Sequence, residues 1–288
     1  MKKFIIILNI FIISILTTGC FKRDTLEDIT IYTTSYPIEY ITNYLYGEHS
    51  TIYSIYPNGI DINKYSLTQK QIKDYRESNM YIFSGLTNEK DYVNPLFKHN
   101  KDLMIIDASQ SMSYTYNTEE LWLDPSNFLM LSLNIKNGLN EYISNHYLKE
   151  EIEKNYDELK IEISNIDAKF NLMKASTDNT TIVVDNNIFK FLEKYGFTVI
   201  SLDETTVTEK NISDVTNMIK NNKISYIFTA DIDNLSETVT NIKNNTNVNI
   251  TKLHTLSNLT DDERSEKNDY ITIMNDNINL LKNELYNN

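Results

Sequence analysis

The sequence has one cysteine, four prolines and six glycines in 288 residues, and its 40 acids outnumber its 27 lysines and arginines. A single thiol, Cys20, excludes an intramolecular disulfide framework, a CxxC redox pair and a cysteine-rich zinc finger. Glycine is scarce and no GxGxxG or GxxxxGK[ST] run occurs, so the dinucleotide and phosphate-loop readings lose their main signal. No basic run longer than Lys2-Lys3 exists, and the net charge is -13. That balance argues against nucleic acid or an anionic membrane face as the main partner, because clustered Lys and Arg supply phosphate binding. No HExxH, nucleophile elbow or Ser/His/Asp grouping supports a hydrolase. What is present, 41% hydrophobic residues over this length, suits about two domains that each bury a core.

Lys2 and Lys3 precede an apolar run from Phe4 to Leu16, broken by Asn9 and Ser14, and then come Thr17, Thr18, Gly19 and Cys20. A charged start, a short apolar stretch and small residues before a cleavage point make residues 1–19 a secretory signal peptide. The stretch falls short of the roughly 20 residues that a membrane span takes. A lone Cys directly after Gly at the end of such a segment resembles the lipobox of bacterial lipoproteins, with Thr17 where the lipobox carries an aliphatic residue. The resemblance implies lipid attachment at Cys20, a tether over residues 20–27, and a body at the outer face of the bacterial cytoplasmic membrane. An uncleaved anchor is the alternative and places the body on the same side.

Beyond the tether the pattern is α/β. The β-rich runs Ile29–Thr33, Thr51–Tyr56, Met80–Phe83 and Leu103–Ile106 alternate with helical stretches, the first passing through Ile38, Ile41 and Leu45. The same organisation returns in the runs Thr180–Val184, Phe197–Leu202, Ile224–Thr229 and Val248–Leu253, separated by helical stretches at 187–195, 211–221 and 234–244. A terminal amphipathic helix follows over Tyr270–Leu285. This alternation predicts two lobes, residues 28–144 and 176–288, each with a four-stranded, mostly parallel sheet flanked by helices. Between them Leu148, Ile152, Tyr156, Leu159, Ile163, Ile166, Phe170 and Met173 recur at steps of 3 or 4, one apolar stripe on a helix over 146–173. At 1.5 Å per residue it reaches roughly 40 Å, a strut joining the lobes within residues 145–175. A coiled-coil dimer seam is the other use of such a stripe.

A lipoprotein signal, two such halves and a long connecting helix together resemble the metal-binding lipoproteins of bacterial zinc and manganese ABC importers, the cluster A-I substrate-binding proteins. Local motifs carry the resemblance along nearly the whole chain: ITIYTTSYPIEYI at 29–41, NMYIFSGL at 79–86, MIIDAS at 104–109, and Glu120-Leu121-Trp122-Leu123-Asp124-Pro125 where the family has H-x-W-L-D-P. The loop Pro57-Asn58-Gly59-Ile60-Asp61-Ile62-Asn63-Lys64-Tyr65 matches P-x-G-x-D-x-H-x-Y/F. The resemblance implies four metal ligands, and the positions here are Asn63, Glu120, Asp185 (ten residues before Tyr195-Gly196) and His254. None is the family's commonest residue at its position, and the adjacent Glu119 leaves the second position ambiguous by one. Ala230, with Asp231 beside it, stands where the family has a Glu.

Two carboxylates, an imidazole and an amide oxygen form a hard, oxygen-rich set that suits Mn²⁺ better than the N/S-rich tetrahedral sites of Zn²⁺. Asp185 and His254 fall at carboxyl ends of strands, where open α/β sheets collect ligands. Asp185 also suits a helix N-cap, and Asn63 a turn whose side chain bonds its own backbone. Trp122, among Leu121, Leu123 and Phe128, reads as a core anchor. The resemblance thus implies a monomeric binder that captures divalent Mn or Zn and delivers it to an ABC importer permease and ATPase. The alternatives are a degenerate relative with an adhesin-like or unknown ligand, and a hydrolase pairing Glu119 or Glu120 with Asp124 or Asp185.

Overall fold

The ITIYT run folds as strand β1 (Ile29–Thr33), joined by β2 (Ser50–Ser54), β3 (Met80–Phe83) and β4 (Met104–Asp107). All pairings are parallel, in the order β2-β1-β3-β4. A second parallel sheet holds β5 (Thr181–Val184), β6 (Thr198–Ser201), β7 (Tyr226–Thr229) and β8 (Asn249–Lys252), in the order β6-β5-β7-β8. The two sheets therefore share one winding. In β3 every side chain is buried, as a parallel strand covered on both faces requires.

The computed structural model describes residues 26–286; the expected signal peptide over residues 1–19, Cys20 and the expected tether residues 21–25 lie outside the described residues. Leu26, placed in the tether by the sequence, is buried in the core, and its carbonyl accepts a hydrogen bond from the Tyr46 hydroxyl at 2.8 Å.

Helices of the first lobe are α1 (Tyr36–Tyr46), α2 (Gln69–Tyr75), α3 (Val93–His99), α4 (Glu120–Leu123) and α5 (Pro125–Tyr142). Then comes α6 (His146–Ala175), 30 residues and so about 45 Å long. The second lobe adds a 3-10 segment over Asn187–Tyr195, α7 (Glu209–Lys220), α8 (Glu237–Asn245), α9 (Asp261–Ser265) and α10 (Tyr270–Tyr286). Stretch 187–195 is thus tighter than the α-helix its pattern suggests, and Gly196 closes it at φ 86°, a left-handed cap that glycine adopts without cost.

The apolar stripe of α6 is buried within the chain, Leu148 through Met173, and Tyr156 packs against the same core. It forms no exposed seam. The helix α5 has no counterpart among the elements read from the sequence, although its signals are local. Asp124 caps it by accepting from the Ser126 N–H at 2.8 Å, proline opens it, and Phe128, Leu131, Ile135 and Leu139 line its buried face. The pair α5–α6 is cross-linked by the mostly buried Lys136, whose Nζ reaches Glu153 at 2.8 and 3.0 Å. One apolar cluster runs from Ile29 and Ile41 through Phe128, Ile163 and Phe170 to Phe189 and Met274, so both lobes share a core around α6.

Candidate functional site

A cleft of about 370 Å³ lies between the lobes, lined by the segment Gly59 to Asn63 after β2, Glu119, Ala230 and Asp231 after β7, and Lys252, His254 and Glu263 beyond β8. These are carboxyl-end segments of the sheets, the crevice that parallel winding opens for ligands.

One polar group of the cleft lining goes unsatisfied. Glu119 is 5% exposed, and its Oε2 is buried without a hydrogen-bond partner. Burial, with Asp61 adding like charge, pushes its carboxyl above the usual carboxylate range. Ser35 Oγ and Asp185 Oδ1, at carboxyl ends of strands but outside the cleft lining, are orphaned too. Native interiors satisfy nearly all such atoms, so the orphaned Glu119 oxygen in the cleft lining needs an explanation.

Of the four positions expected to ligate, the structure brings two to the cleft, Asn63 and His254. Asn63 is held in a turn by the Asp61 side chain, which accepts its N–H at 3.0 Å. Glu120 is buried and turned away: it accepts the N–H groups of Thr115 and Tyr116, at 2.7 and 3.2 Å, and so pins the loop before α4. Its neighbour Glu119 faces the cleft instead. Asp185 sits behind the cleft wall. It accepts a short hydrogen bond from the Thr229 hydroxyl, and that hydroxyl oxygen also accepts the Asp231 N–H at 3.1 Å. Asp185 therefore orients the turn that presents Asp231. Burial pushes the Asp185 carboxyl up to about 6, opposed by the Thr229 bond. The N-cap of segment 187–195 is Asn186, which accepts the Ile188 N–H at 3.0 Å.

His254 is fixed from three sides. Its N–H donates to Asn277 at 2.8 Å, its Nδ1 accepts the Leu256 N–H at 2.9 Å, and its Nε2 lies 3.2 Å from Glu263 Oε1. Leu256, buried, holds φ 59°, a left-handed conformation that costs a leucine roughly 1–2 kcal/mol. Burial first and Lys252 second keep the imidazole below its ordinary pKa, partly offset by Glu263. Lys252 and Glu263 are cleft residues the sequence did not single out. Glu263 had a legible signal, the capping box Thr260-x-x-Glu263 that opens α9, with the Thr260 N–H donating to it at 2.8 Å.

Both flanks of the cleft are bridged. Trp122, a core anchor as its neighbours suggest, also donates from Nε1 to the Thr255 carbonyl at 2.7 Å. Arg264 grips Glu39 with two bonds of 2.7 and 2.8 Å. On the other side Lys194 meets Asp124 at 2.6 Å, and the Tyr116 hydroxyl donates to Glu193 at 2.6 Å.

Comparison with known proteins agrees with this architecture. The family profile described as zinc-uptake complex component A, periplasmic, matches residues 31–284. The zinc-binding lipoprotein AdcA of Streptococcus pneumoniae is 19% identical over 281 residues, 88% of this chain and 55% of AdcA, so the chain spans about half the length of that relative. The manganese ABC transporter substrate-binding lipoprotein PsaA of the same species is 26% identical over 220 residues, 68% of this chain and 70% of PsaA. Among solved structures, the Zn(II)-bound ZnuA-like domain of S. pneumoniae AdcA aligns at TM-score 0.73 and 20% identity over 90% of this chain and 99% of that domain, a likeness of fold. With the profile running through both sheets, the strut and the cleft, this chain belongs to the zinc-uptake complex component A family, extracytoplasmic substrate-binding proteins of metal ABC importers that bind and do not catalyse.

Proposed function

We propose that this chain is a lipid-anchored binding protein, tethered through Cys20, that captures a divalent metal ion in the inter-lobe cleft and delivers it to an ABC importer permease and its ATPase. The observation that carries this reading is the Glu119 carboxylate, buried against the cleft with one oxygen unpartnered. An unpartnered buried carboxylate costs several kcal/mol, and a cation bound there recovers much of it. Around it Asp61, Asp231 and Glu263 outnumber Lys252, so the cleft as a whole favours a cation. The donors that line the cleft are Glu119 and Asn63 from the first lobe and Asp231 and His254 from the second, and a small closure of the lobes has to gather them onto the ion. Glu120 and Asp185 act one bond back as supports. The donors are mostly oxygen, which favours Mn²⁺ over Zn²⁺.

A second reading, a relative that has exchanged metal for another ligand, is favoured by one observation. Among the described residues no three or more His, Cys, Asp or Glu side chains lie close enough to share an ion.

Elemental analysis of the purified protein, with melting curves after chelation and after return of Mn²⁺ or Zn²⁺, separates the two. At a thousand times its dissociation constant the ion stabilises the fold by about 4 kcal/mol, a shift of several degrees. Glu119→Gln weakens that ion at least tenfold. No bound metal and no shift with either ion would discard the metal reading in favour of the second.

A further inference from the structure

We propose that the segment Phe21-Lys22-Arg23-Asp24-Thr25 seats in an acidic groove of the first lobe, between the end of α1 and the first half of α6. The groove encloses about 570 Å³, with Glu48 and His49 on one wall and the α6 residues Tyr147, Glu150, Glu151, Lys154 and Glu158 on the other. Three observations select this occupant. The first is continuity. Leu26 is already docked at the rim: it is buried, its carbonyl accepts from the Tyr46 hydroxyl, and two residues on the Asp28 N–H donates to the His49 carbonyl at 2.9 Å. Tyr46 and His49 both line the groove, so the chain that precedes Leu26 starts beside it.

The second is charge. Glu48, Glu150, Glu151 and Glu158 stand against Lys154, the one lysine or arginine of the lining. Glu150 and Glu151 are paired with His146 and His49, at 3.1 Å each, and those partners add charge only when protonated. An acidic groove repels the rest of an acidic chain and an anionic membrane face, and it attracts the Lys22-Arg23 pair that arrives here. The third is reach. Five extended residues span roughly 17 Å. The lining run of α6 from Tyr147 to Glu158 rises about 16 Å, so the segment can meet the acids along it. Phe21 can then cover Tyr147, at 69% the most exposed large hydrophobic side chain among the described residues.

Leu26 and His49 precede β1 and β2, so the groove lies at the amino ends of the first sheet, whereas the cleft opens at the carboxyl ends. Taken with lipid attachment at Cys20, on which this consequence rests, a seated tether holds the cleft on the side of the lobe away from the membrane, open to capture. The cleft meets a permease only after the tether unseats.

The test is limited trypsin digestion of the full-length lipoprotein in mild detergent at low salt. Mass spectrometry reads the cuts after Lys22 and Arg23, each normalised to the cut after Lys64, whose side chain is 86% exposed. Cleavage of a docked segment follows the fraction of time it spends undocked. The parent is expected to be cut after Lys22 and Arg23 at least tenfold more slowly than the triple variant Glu48→Gln, Glu150→Gln, Glu158→Gln. Salt at about 0.5 M, which shortens charge interactions to a few Å, is expected to bring the parent up to the variant's rate. The three glutamates are exposed, and equal melting temperatures check that the variant folds; if it melts lower, the salt arm on the parent decides alone. Cover by lipid or detergent would slow parent and variant alike at either salt, so equal rates would overturn the inference. The mass of the N-terminal peptide reports lipid on Cys20 in the same digest, and its absence would remove the orientation while leaving the seat to stand on the cleavage rates.

Discussion

Glu119 and Glu120 point about 100° apart around the start of α4, because successive residues of a helix are separated by that angle. One carboxylate therefore meets the N–H groups of Thr115 and Tyr116 while the other is left at the cleft. The sequence identified the pair and not the choice, since the deciding partner is a loop whose path no local pattern encodes. A third acid, Glu89, belongs to neither. It is 2% exposed and accepts the Ser84 N–H at 3.1 Å, with Tyr56, Tyr81 and Asp107 around it. Burial pushes its carboxyl up to about 7 from an ordinary 4.5. The folded state thus holds this proton after the unfolded chain has released it. Stability from this group falls as pH rises from about 4.5 to about 7, and above that the buried charge costs about 3 kcal/mol. Asp185, pushed up to about 6, adds a slope of the same sign over a lower window. Glu89→Gln is expected to be more stable than the parent at pH 8 and to lose most of the difference between pH 5 and pH 8, as read from denaturant midpoints at the two values. An unchanged pH profile would remove Glu89 from this role.

At the scale of elements the two long helices behave differently toward sequence. The helix α6 is legible end to end because its buried positions recur every third or fourth residue for 30 residues, and packing against the shared core repays that spacing. In α5 a glycine interrupts an otherwise ordinary pattern, and the reason is tertiary. A Cβ at Gly138 would lie 2.7 Å from the Ile106 Cγ2 and 2.9 Å from its Cδ1, where β4 passes beneath the helix. Glycine costs a helix interior about 1 kcal/mol relative to alanine, so an isolated α5 would gain from Gly138→Ala. In the folded protein overpacking against a buried β-branched side chain costs about 1–3 kcal/mol and outweighs that gain. The variant is expected to melt below the parent; a rise in melting temperature would mean that β4 and α5 separate without penalty.

Across the whole molecule the lobes are not free bodies. A continuous apolar core around α6 joins them, and an interface of that kind limits closure to a small hinge. The flanking bridges differ in worth. Arg264 and Glu39 form a two-point, charge-assisted contact with side chains 28% and 12% exposed, so Glu39→Gln is expected to lower stability by about 1–3 kcal/mol. Lys194, 38% exposed, meets Asp124 nearer to solvent, and Lys194→Ala is expected to cost less than about 1 kcal/mol. Equal losses in urea unfolding would show that the two flanks share the load.

The sequence by itself determined the class of the molecule: two parallel four-stranded sheets, an apolar strut between them, and loops at the strand ends where ligands collect. Those features are periodic or local, so a few neighbouring residues specify each. Only the tertiary structure decided which side chains face the cleft. Asn63 and His254 reach it. Glu120 and Asp185 are drawn off by the backbone of residues 115–116 and by Thr229. Lys252 and Glu263 enter from the far end of the chain. A site assembled from loops as far apart in sequence as Asp61 and Glu263 depends on how two lobes meet, and that is set by the shared core rather than by any one segment.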